Sequence, residues 1–317
     1  MIKILILSAG TNASYHFARI LKEKFANDFF IIGADINPKY LIPTGKYLDS
    51  FYQVPLSSDG QYYSVVLDIC KREHADVLLP SFDADQKLFY PENVDLKNIE
   101  VFSLGTPKET LKIYDNKEAM SDFLSKNGLL VPKVYNLKEV HDEDDYFIKP
   151  KNGVGSIGAK KLKGREIKSL PNSRNMIIQE VCHKPELTLE CFNYHGNLSC
   201  ITRERIATKA GVCVKSKVYS NNELTEVAHN FISKVMTPLY FNLQFMRNSC
   251  DQYVITDVNL RLAGGMSISY ACGWDEVSAV AKVLLHKNNV FETLQPQETE
   301  KFVVRAYQDI VTKETLI

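Results

Sequence analysis

The first third of the chain alternates short apolar runs with segments whose apolar residues recur at helical spacing. Residues 11–25 have the period of an amphipathic helix, with Asn12 or Ser14 as candidate caps, and residues 61–75 predict a second helix. Each predicted strand is an apolar run that ends in glycine or in polar residues. The predicted strands are residues 2–10, 29–38, 76–85 and 100–105. Their alternation with helices predicts a doubly wound parallel α/β sheet over residues 1–105.

Ligands of such sheets bind beyond the carboxyl ends of the strands, which here carry residues 8–12, Asp35 and residues 81–85. The first of these turns has one glycine where dinucleotide-binding turns have three, which argues against NAD. We expect the sheet to pack against the rest of the chain and to contribute substrate contacts. Asp83 and Asp85 could hold a substrate amine, although solvated loop carboxylates are the plainer interpretation.

After residue 105 the pattern changes to two short helices over residues 106–128, a strand at 144–151 and a short strand at 159–164. From residue 176 onward, alternation of apolar and polar residues predicts antiparallel strands. These strands are residues 176–181, 186–194, 198–208, 211–219 and 301–311, with a hairpin over 241–265. Amphipathic helices are predicted at 223–239 and 274–288. The C-terminal part is therefore α+β in type.

Composition narrows the function classes. The 317 residues carry 38 basic and 38 acidic side chains, so no net field attracts nucleic acid or an anionic membrane. The seven cysteines form no CxxC pair and the seven histidines form no HExxH motif, so neither a zinc site nor a disulfide framework is readable. Scattered thiols and the lack of a long apolar run predict a soluble cytoplasmic protein.

The loop of residues 152–158, between the strands at 144–151 and 159–164, has the pattern Gly-x-Gly-x-x-Gly. A dinucleotide fingerprint requires an apolar helix after the last glycine, and the basic segment that follows does not predict one. We interpret the loop as a flap whose backbone N–H groups bind phosphate, with Lys149 on the strand before it. The loop residues concerned are Asn152, Gly153, Gly155, Ser156 and Gly158. The alternative is an ordinary solvent-exposed hairpin.

A second motif lies near the other end of the chain, where Asp257, Asn259 and Arg261 occur at i, i+2 and i+4. On a strand these three side chains share one face, and the apolar residues between them face the opposite way. Oxygen ligands suit Mg²⁺, and a guanidinium neutralises a transferred phosphoryl group. The preceding strand alternates as well and places Gln244 where it could join this face. A half-exposed strand with polar residues outward is the alternative.

A third, weaker motif is the strand that ends near Glu180, with Glu186 six residues later. Backbone groups after a strand can recognise adenine, and a nearby carboxylate can accept ribose hydroxyls. The three motifs in this order resemble the ATP-grasp superfamily, most closely its carbamoyl-phosphate-synthase-like, carboxylate–amine ligase branch. The resemblance extends from "KILILSAG" through "DNKEAMSDFLSKNGLLVPK" to "DVNLRLAGG". It implies a Rossmann-like pre-ATP-grasp domain at 1–105, a small lobe with the flap at 106–178 and a large lobe at 179–317.

The resemblance also implies roles for individual residues. Lys117 would contact the nucleotide on its α-phosphate side, Lys149 would be the second nucleotide lysine, and the flap would close over the β- and γ-phosphates. The adenine hinge would comprise Gln179, Glu180, Val181 and Cys182, with Glu186 at the ribose. Mg²⁺ or Mn²⁺ would bind Asp257 and Asn259, with Gln244 as a further ligand. Arg261 would face the γ-phosphate, and Arg203 and Arg205 would line the substrate side.

The activity implied is ATP-dependent ligation of a small-molecule carboxylate to an amine through an acylphosphate, with release of ADP and phosphate. The resemblance also makes a homodimer plausible. The chain departs from the family at Asp257, where Glu is usual, and at Leu260, where Pro usually precedes the arginine. These departures motivate one alternative, a nucleotide-binding protein without turnover. A carbamoyl-phosphate-forming or carboxylase activity is a second alternative. The short segment that follows Trp274 argues against it.

Overall fold

The computed structural model describes residues 1–114, 116–152, 158–171, 173–209 and 212–312. The N-terminal part is a five-stranded parallel sheet in the order β3-β2-β1-β4-β5. Its strands are β1 (Ile2–Ile6), β2 (Phe29–Asp35), β3 (Ser50–Gln53), β4 (Val77–Leu79) and β5 (Phe102–Ser103). The predicted doubly wound sheet is confirmed. The sequence analysis missed β3 because this four-residue strand has no buried residue.

Helices cover this sheet. They are α1 (Asn12–Lys24), α2 (Tyr62–Glu73), α3 (Asp83–Leu88) and α4 (Val94–Asn98), with 3₁₀ turns at Lys39–Leu41 and Pro43–Tyr47. The first two helices were predicted. The predicted caps of α1, Asn12 and Ser14, are wrong, because Thr11 is the cap and its Oγ1 accepts a hydrogen bond from the Ser14 backbone N–H at 3.2 Å.

The middle of the chain forms a four-stranded antiparallel sheet, called the small sheet below, in the order β6-β9-β7-β8. Its strands are β6 (Val134–Tyr135), β7 (Asp145–Pro150), β8 (Lys160–Lys163) and β9 (Met176–Gln179). Around it lie α5 (Lys108–Tyr114), α6 (Lys117–Lys126), α7 (Gly164–Lys168) and 3₁₀ turns at Leu137–Glu139 and Ser173–Asn175. β7 and β8 pair antiparallel, so the glycine-rich loop joins two strands of a hairpin, as predicted.

The C-terminal part contains a six-stranded antiparallel sheet, the large sheet, in the order β14-β13-β10-β11-β12-β15. Its strands are β10 (His183–Tyr194), β11 (Asn197–Lys209), β12 (Val212–Tyr219), β13 (Tyr240–Arg247), β14 (Tyr253–Asn259) and β15 (Lys301–Val304). The helices are α8 (Asn222–Ile232), α9 (Met266–Ala271) and α10 (Glu276–Leu284), with a 3₁₀ turn at Val290–Thr293. β14 ends two residues earlier than predicted, so Arg261 lies beyond the strand.

Two apolar clusters position the large sheet. On one face, Leu224 and Phe231 of α8 pack with Phe241 and Leu243 of β13. A second cluster joins the N-terminal sheet and α1 to α10 and the buried Trp274, so the first and last parts of the chain share one core. Within the described residues, no helix has the length and apolar character needed to cross a bilayer.

Candidate active site

A cavity of about 330 Å³ lies between the small sheet and the large sheet, with one wall contributed by the N-terminal part. Its lining residues come from distant segments that the topology brings together. They include Asp83, Lys117, Phe147, Lys149, Asn152, Gln179, Glu180, Cys182, Glu186, Gln244, Met246, Asp257, Asn259 and Arg261. Most of the site residues predicted from the sequence therefore line one cavity.

The two predicted nucleotide lysines lie beside the strand that carries the predicted metal-binding acid. Lys117 is the first residue of α6, and Asn116 caps this helix, because its Oδ1 accepts hydrogen bonds from the backbone N–H groups of Glu118 and Ala119. Lys117 Nζ lies 2.9 Å from Asp257 Oδ1. Lys149 is on β7, and its Nζ donates to the carbonyl of Thr256 at 2.8 Å. Both ammonium groups thus lie beside β14.

Lys149 is 9% exposed. Its burial lowers the pKa of the ammonium group to about 8; the carboxylate of Asp257 opposes this shift and the charge of Lys117 adds to it. At neutral pH the side chain is therefore still mostly charged, and it loses its proton as the pH rises through about 8. A bound anion such as a phosphate would favour the charged form.

Asp257 and Asn259 share one face of β14, as predicted. Gln244 of β13 is paired with Asp257 across the two strands, and Asn259 Nδ2 lies 3.5 Å from Asp257 Oδ2. Val258 and Leu260 contact the apolar cluster beneath α8, and parts of both residues also line the cavity. The alternation predicted from the sequence is therefore only partial, and the pairing of β13 with β14 is irregular between Gln244 and Phe245.

The donors at this position suit a small hard cation that keeps phosphate or water ligands. One carboxylate of Asp257 and the amide oxygens of Asn259 and Gln244 are oxygen donors of the type Mg²⁺ prefers. Within the described part of the chain, no cluster of three or more His, Cys, Asp or Glu side chains could hold a metal ion. The set thus offers oxygen donors for a cation but does not form an all-protein cage.

Arg261 is held by an acid from the N-terminal part. Its Nε lies 2.7 Å from Asp83 Oδ1 and its Nη2 lies 3.4 Å from Oδ2 of the same carboxylate. Two buried hydrogen bonds fix the backbone nearby: Thr106 Oγ1 donates to the carbonyl of Leu260 at 2.7 Å, and Tyr240 donates to the carbonyl of Leu104 at 3.0 Å. The pairing of Arg261 with Asp83 had no signal in the sequence.

The two N-terminal carboxylates are not the solvated loop acids that we took as the plainer interpretation. Asp83 pairs with Arg261 as described. Asp85 is buried and accepts hydrogen bonds from Ser8, Tyr62 and the backbone N–H of Phe82. Burial raises the pKa of Asp85 above its ordinary value despite these three donors. Asp85 therefore fixes the turn after β1, whereas Asp83 faces the cavity.

The predicted adenine end has polar edges and apolar walls. Four residues of this end line the cavity: Gln179, Glu180, Cys182 and Glu186. Val181 is half-buried and does not belong to the lining. Glu180 accepts a hydrogen bond from the backbone N–H of Lys133 at 2.8 Å. Burial, and then the charge of Glu180, raise the pKa of the Cys182 thiol to about 11, so Cys182 is not a nucleophile at neutral pH.

The sequence analysis missed the apolar walls of the cavity. Phe147 of β7 comes two residues before Lys149, and Met246 of β13 comes two residues after Gln244. Strand alternation therefore puts each of them on the face of its polar neighbour. The same two-residue period that identified Gln244 could have identified both.

The two arginines predicted to line the substrate side lie behind the cavity. Arg205 pairs with Glu186, which does line it, at 3.0 Å between Nη1 and Oε1. Arg203 is buried and forms an ion pair with the buried Glu190. Burial, and then the charge of Glu190, raise the pKa of the adjacent Glu276 well above its ordinary value. These groups hold the large sheet behind the site, and the structure brings neither arginine to the cavity surface.

The predicted flap is described at its two ends. Asn152 and Ala159 line the cavity, and Gly158 has a positive φ of 80° beside Pro150. Gly153, Gly155 and Ser156 lie outside the described residues. The role of the loop in phosphate binding stays a prediction.

Comparison with protein families gives two matches on separate parts of the chain. Residues 4–102 match the family described as PylC-like, N-terminal domain, and residues 172–310 match the family described as ATP-grasp in the biosynthetic pathway with Ter operon. The chain has no significant match among curated proteins.

Solved structures resemble the chain over most of its length at low sequence identity. An L-amino acid ligase from Bacillus licheniformis matches with TM-score 0.72 and 13% identity, over 93% of this chain and 78% of that one. A biotin carboxylase from Campylobacter jejuni matches with TM-score 0.71 and 13% identity, over 89% and 71%. Pyruvate carboxylase from Rhizobium etli matches with TM-score 0.67 and 15% identity, over 89% of this chain but only 28% of its own. These likenesses show that the chain shares the fold of these enzymes. The ATP-grasp description, which the motifs predicted, is that of the family matched over residues 172–310.

Proposed function

From the ATP-grasp fold as premise, we propose that this protein is an ADP-forming carboxylate–amine ligase. One observation carries the proposal: two lysines and an acid from three separate elements line one cavity. Lys117 Nζ lies 2.9 Å from Asp257 Oδ1, and Lys149 Nζ lies 2.8 Å from the carbonyl oxygen of the residue before Asp257. Two ammonium groups and an oxygen-donor set at the same point suit a triphosphate and its cation.

In the proposed reaction, a substrate carboxylate oxygen attacks the γ-phosphorus of ATP, and the bond to the bridging oxygen breaks to release ADP. The acylphosphate that forms has phosphate as its leaving group, where the carboxylate had only oxide. An amine then attacks the acyl carbon, forms the C–N bond, loses a proton and expels phosphate. This sequence balances without a protein nucleophile, in agreement with the raised pKa of Cys182.

Each charged residue has a defined task in this reaction. Lys117 and Lys149 bind phosphate oxygens, and the buried position of Lys149 strengthens its interaction because little water screens it. Arg261 neutralises the charge that develops on the transferred phosphoryl group. Asp257, Asn259 and Gln244 would hold Mg²⁺, which when bound supplies further neutralisation of the phosphates.

The test is a substrate screen with purified protein, ATP and Mg²⁺. L-amino acids serve as carboxylates and amines, because one similar structure is an L-amino acid ligase, and bicarbonate is included because others are carboxylases. We expect ADP release that depends on a carboxylate, and amide product by mass spectrometry. Release of AMP would contradict the proposal. ADP release with bicarbonate alone would favour a carboxylase-type reaction, and ATP binding without any turnover would favour a nucleotide-binding protein.

A further inference from the structure

The ion pair between Arg261 and Asp83 joins two parts of the chain that match different families. Asp83 lies within residues 4–102, and Arg261 lies within residues 172–310. Both side chains line the cavity and are partly exposed, 32% for Asp83 and 23% for Arg261. The pair is therefore accessible to a ligand from the cavity side and is not a sealed structural contact.

The contact uses both oxygens of Asp83. Arg261 Nε and Nη2 approach Oδ1 and Oδ2 at 2.7 and 3.4 Å, while Nη1 donates to the carbonyl of Leu262 at 3.3 Å. A fork of this kind also matches the geometry of a phosphoryl group. A phosphoryl group that binds Arg261 consequently competes with Asp83 for the same two N–H donors.

This competition has an electrostatic consequence for Asp83. A carboxylate that loses its cation in a partly desolvated cavity is destabilised unless another cation takes the place. The amine substrate of a ligase enters the site as an ammonium ion, because α-amino and ε-amino groups are largely protonated at neutral pH. Once released from Arg261, the carboxylate of Asp83 has the negative charge needed to bind this ammonium ion, and it lies in the same cavity.

We propose that Asp83 binds the ammonium group of the amine substrate, after exchanging its contact with Arg261 for one with that group. The inference rests on the proposed ligase function and deepens it, since it assigns the second substrate to amines that carry a positive charge. It also sets the order of events. The phosphorylated species forms on Arg261 first, and the ammonium group of the amine is then bound beside it by Asp83. Asp83 therefore makes binding of the amine substrate depend on prior formation of the phosphorylated species.

The test compares a charged amine with hydroxylamine, which is uncharged at neutral pH and traps acylphosphates as hydroxamates. Wild-type protein and the Asp83→Asn variant are assayed with ATP, Mg²⁺ and the L-amino acid carboxylate that gives most product. The acceptor is either a second L-amino acid or hydroxylamine, and kcat/KM is measured for each. Glu143→Gln is the matched control, because it removes an exposed contact with Arg165 at 3.1 Å outside the cavity lining.

We expect Asp83→Asn to lower the ratio of kcat/KM for the charged amine to that for hydroxylamine by about tenfold or more, the effect of losing a charged hydrogen-bond partner. Glu143→Gln should leave the ratio unchanged. If Asp83 only positions Arg261, both values fall in parallel, the ratio stays constant and the inference is overturned. If the wild-type protein forms neither hydroxamate nor amide with any carboxylate, the proposed function fails first, and the inference with it.

Discussion

Under the proposed function, the buried side chain of Lys149 makes nucleotide binding depend on pH. Burial lowers the pKa of its ammonium group to about 8, and bound phosphate would stabilise the charged form. Below this pH the group is charged before ATP arrives. Above it, binding must be accompanied by proton uptake, so the affinity for nucleotide decreases.

We therefore expect the dissociation constant for ADP to be flat between about pH 7 and 8, where the terminal phosphate of ADP is already ionised, and to rise about tenfold for each pH unit above it. Isothermal titration calorimetry across this range measures the profile. Lys149→Arg is the control, because a guanidinium stays protonated and should give a flat profile, with weaker binding overall. Identical profiles for the wild-type protein and Lys149→Arg would exclude Lys149 as the titrating group.

Asp257 offers a second test at the scale of one residue. Asp257→Ala should lower turnover of ATP by about 10²-fold, because the variant loses the carboxylate at the oxygen-donor set and the partner of Lys117. The side chain is 27% exposed, so we expect the far-ultraviolet circular dichroism and the thermal midpoint to change little. Asp251→Ala, in the turn of the same hairpin, is the matched control and should keep wild-type turnover. Normal turnover in Asp257→Ala would remove Asp257 from the site.

At the scale of elements, the sequence predicted most strands and helices because apolar periodicity fixed them. The prediction failed where the apolar periodicity is short or absent. Strand β3 has only four residues, none of them buried, and helix α9 is only six residues long. The site followed the same rule. Strand alternation links neighbours in sequence, and it predicted Asp257 and Gln244, which both line the cavity. The contact of Asp83 with Arg261 spans 178 residues and follows only from the packing of the first sheet against the large one.

The apolar walls of the cavity permit a prediction about β13. Met246→Ala should raise the KM for ATP several-fold, on the order of tenfold at most, because this half-buried side chain loses only part of the roughly 1.5–3 kcal/mol of a fully buried one, and should leave kcat nearly unchanged. Steady-state kinetics separates the two constants. Met236→Ala is the control, because this side chain is 69% exposed and is absent from the cavity lining. A lower kcat at unchanged KM would show that Met246 acts on the reacting groups and not on nucleotide binding.

At the scale of the whole molecule, the N-terminal sheet and the large sheet share one core. Phe17 of α1 and Trp274, which precedes α10, belong to the same apolar cluster, and both are fully buried. Lys24 Nζ of α1 also lies 2.7 Å from Oδ2 of Asp275, the residue that caps the N-terminus of α10. The contact between Asp83 and Arg261 joins the same two parts of the chain, so the site depends on these parts staying packed together.

This shared core predicts that the two parts unfold together. Phe17→Ala should lower the free energy of unfolding by about 3–5 kcal/mol, because it leaves a cavity between α1 and α10. The single tryptophan, Trp274, reports the transition from the opposite side of that interface, so its fluorescence midpoint in urea should shift with the circular dichroism midpoint. Phe302→Ala, at a side chain 72% exposed, should shift neither. If the fluorescence transition stays in place while circular dichroism shifts, the N-terminal part unfolds on its own, and the interface that carries Asp83 is then too weak to fix its position against Arg261.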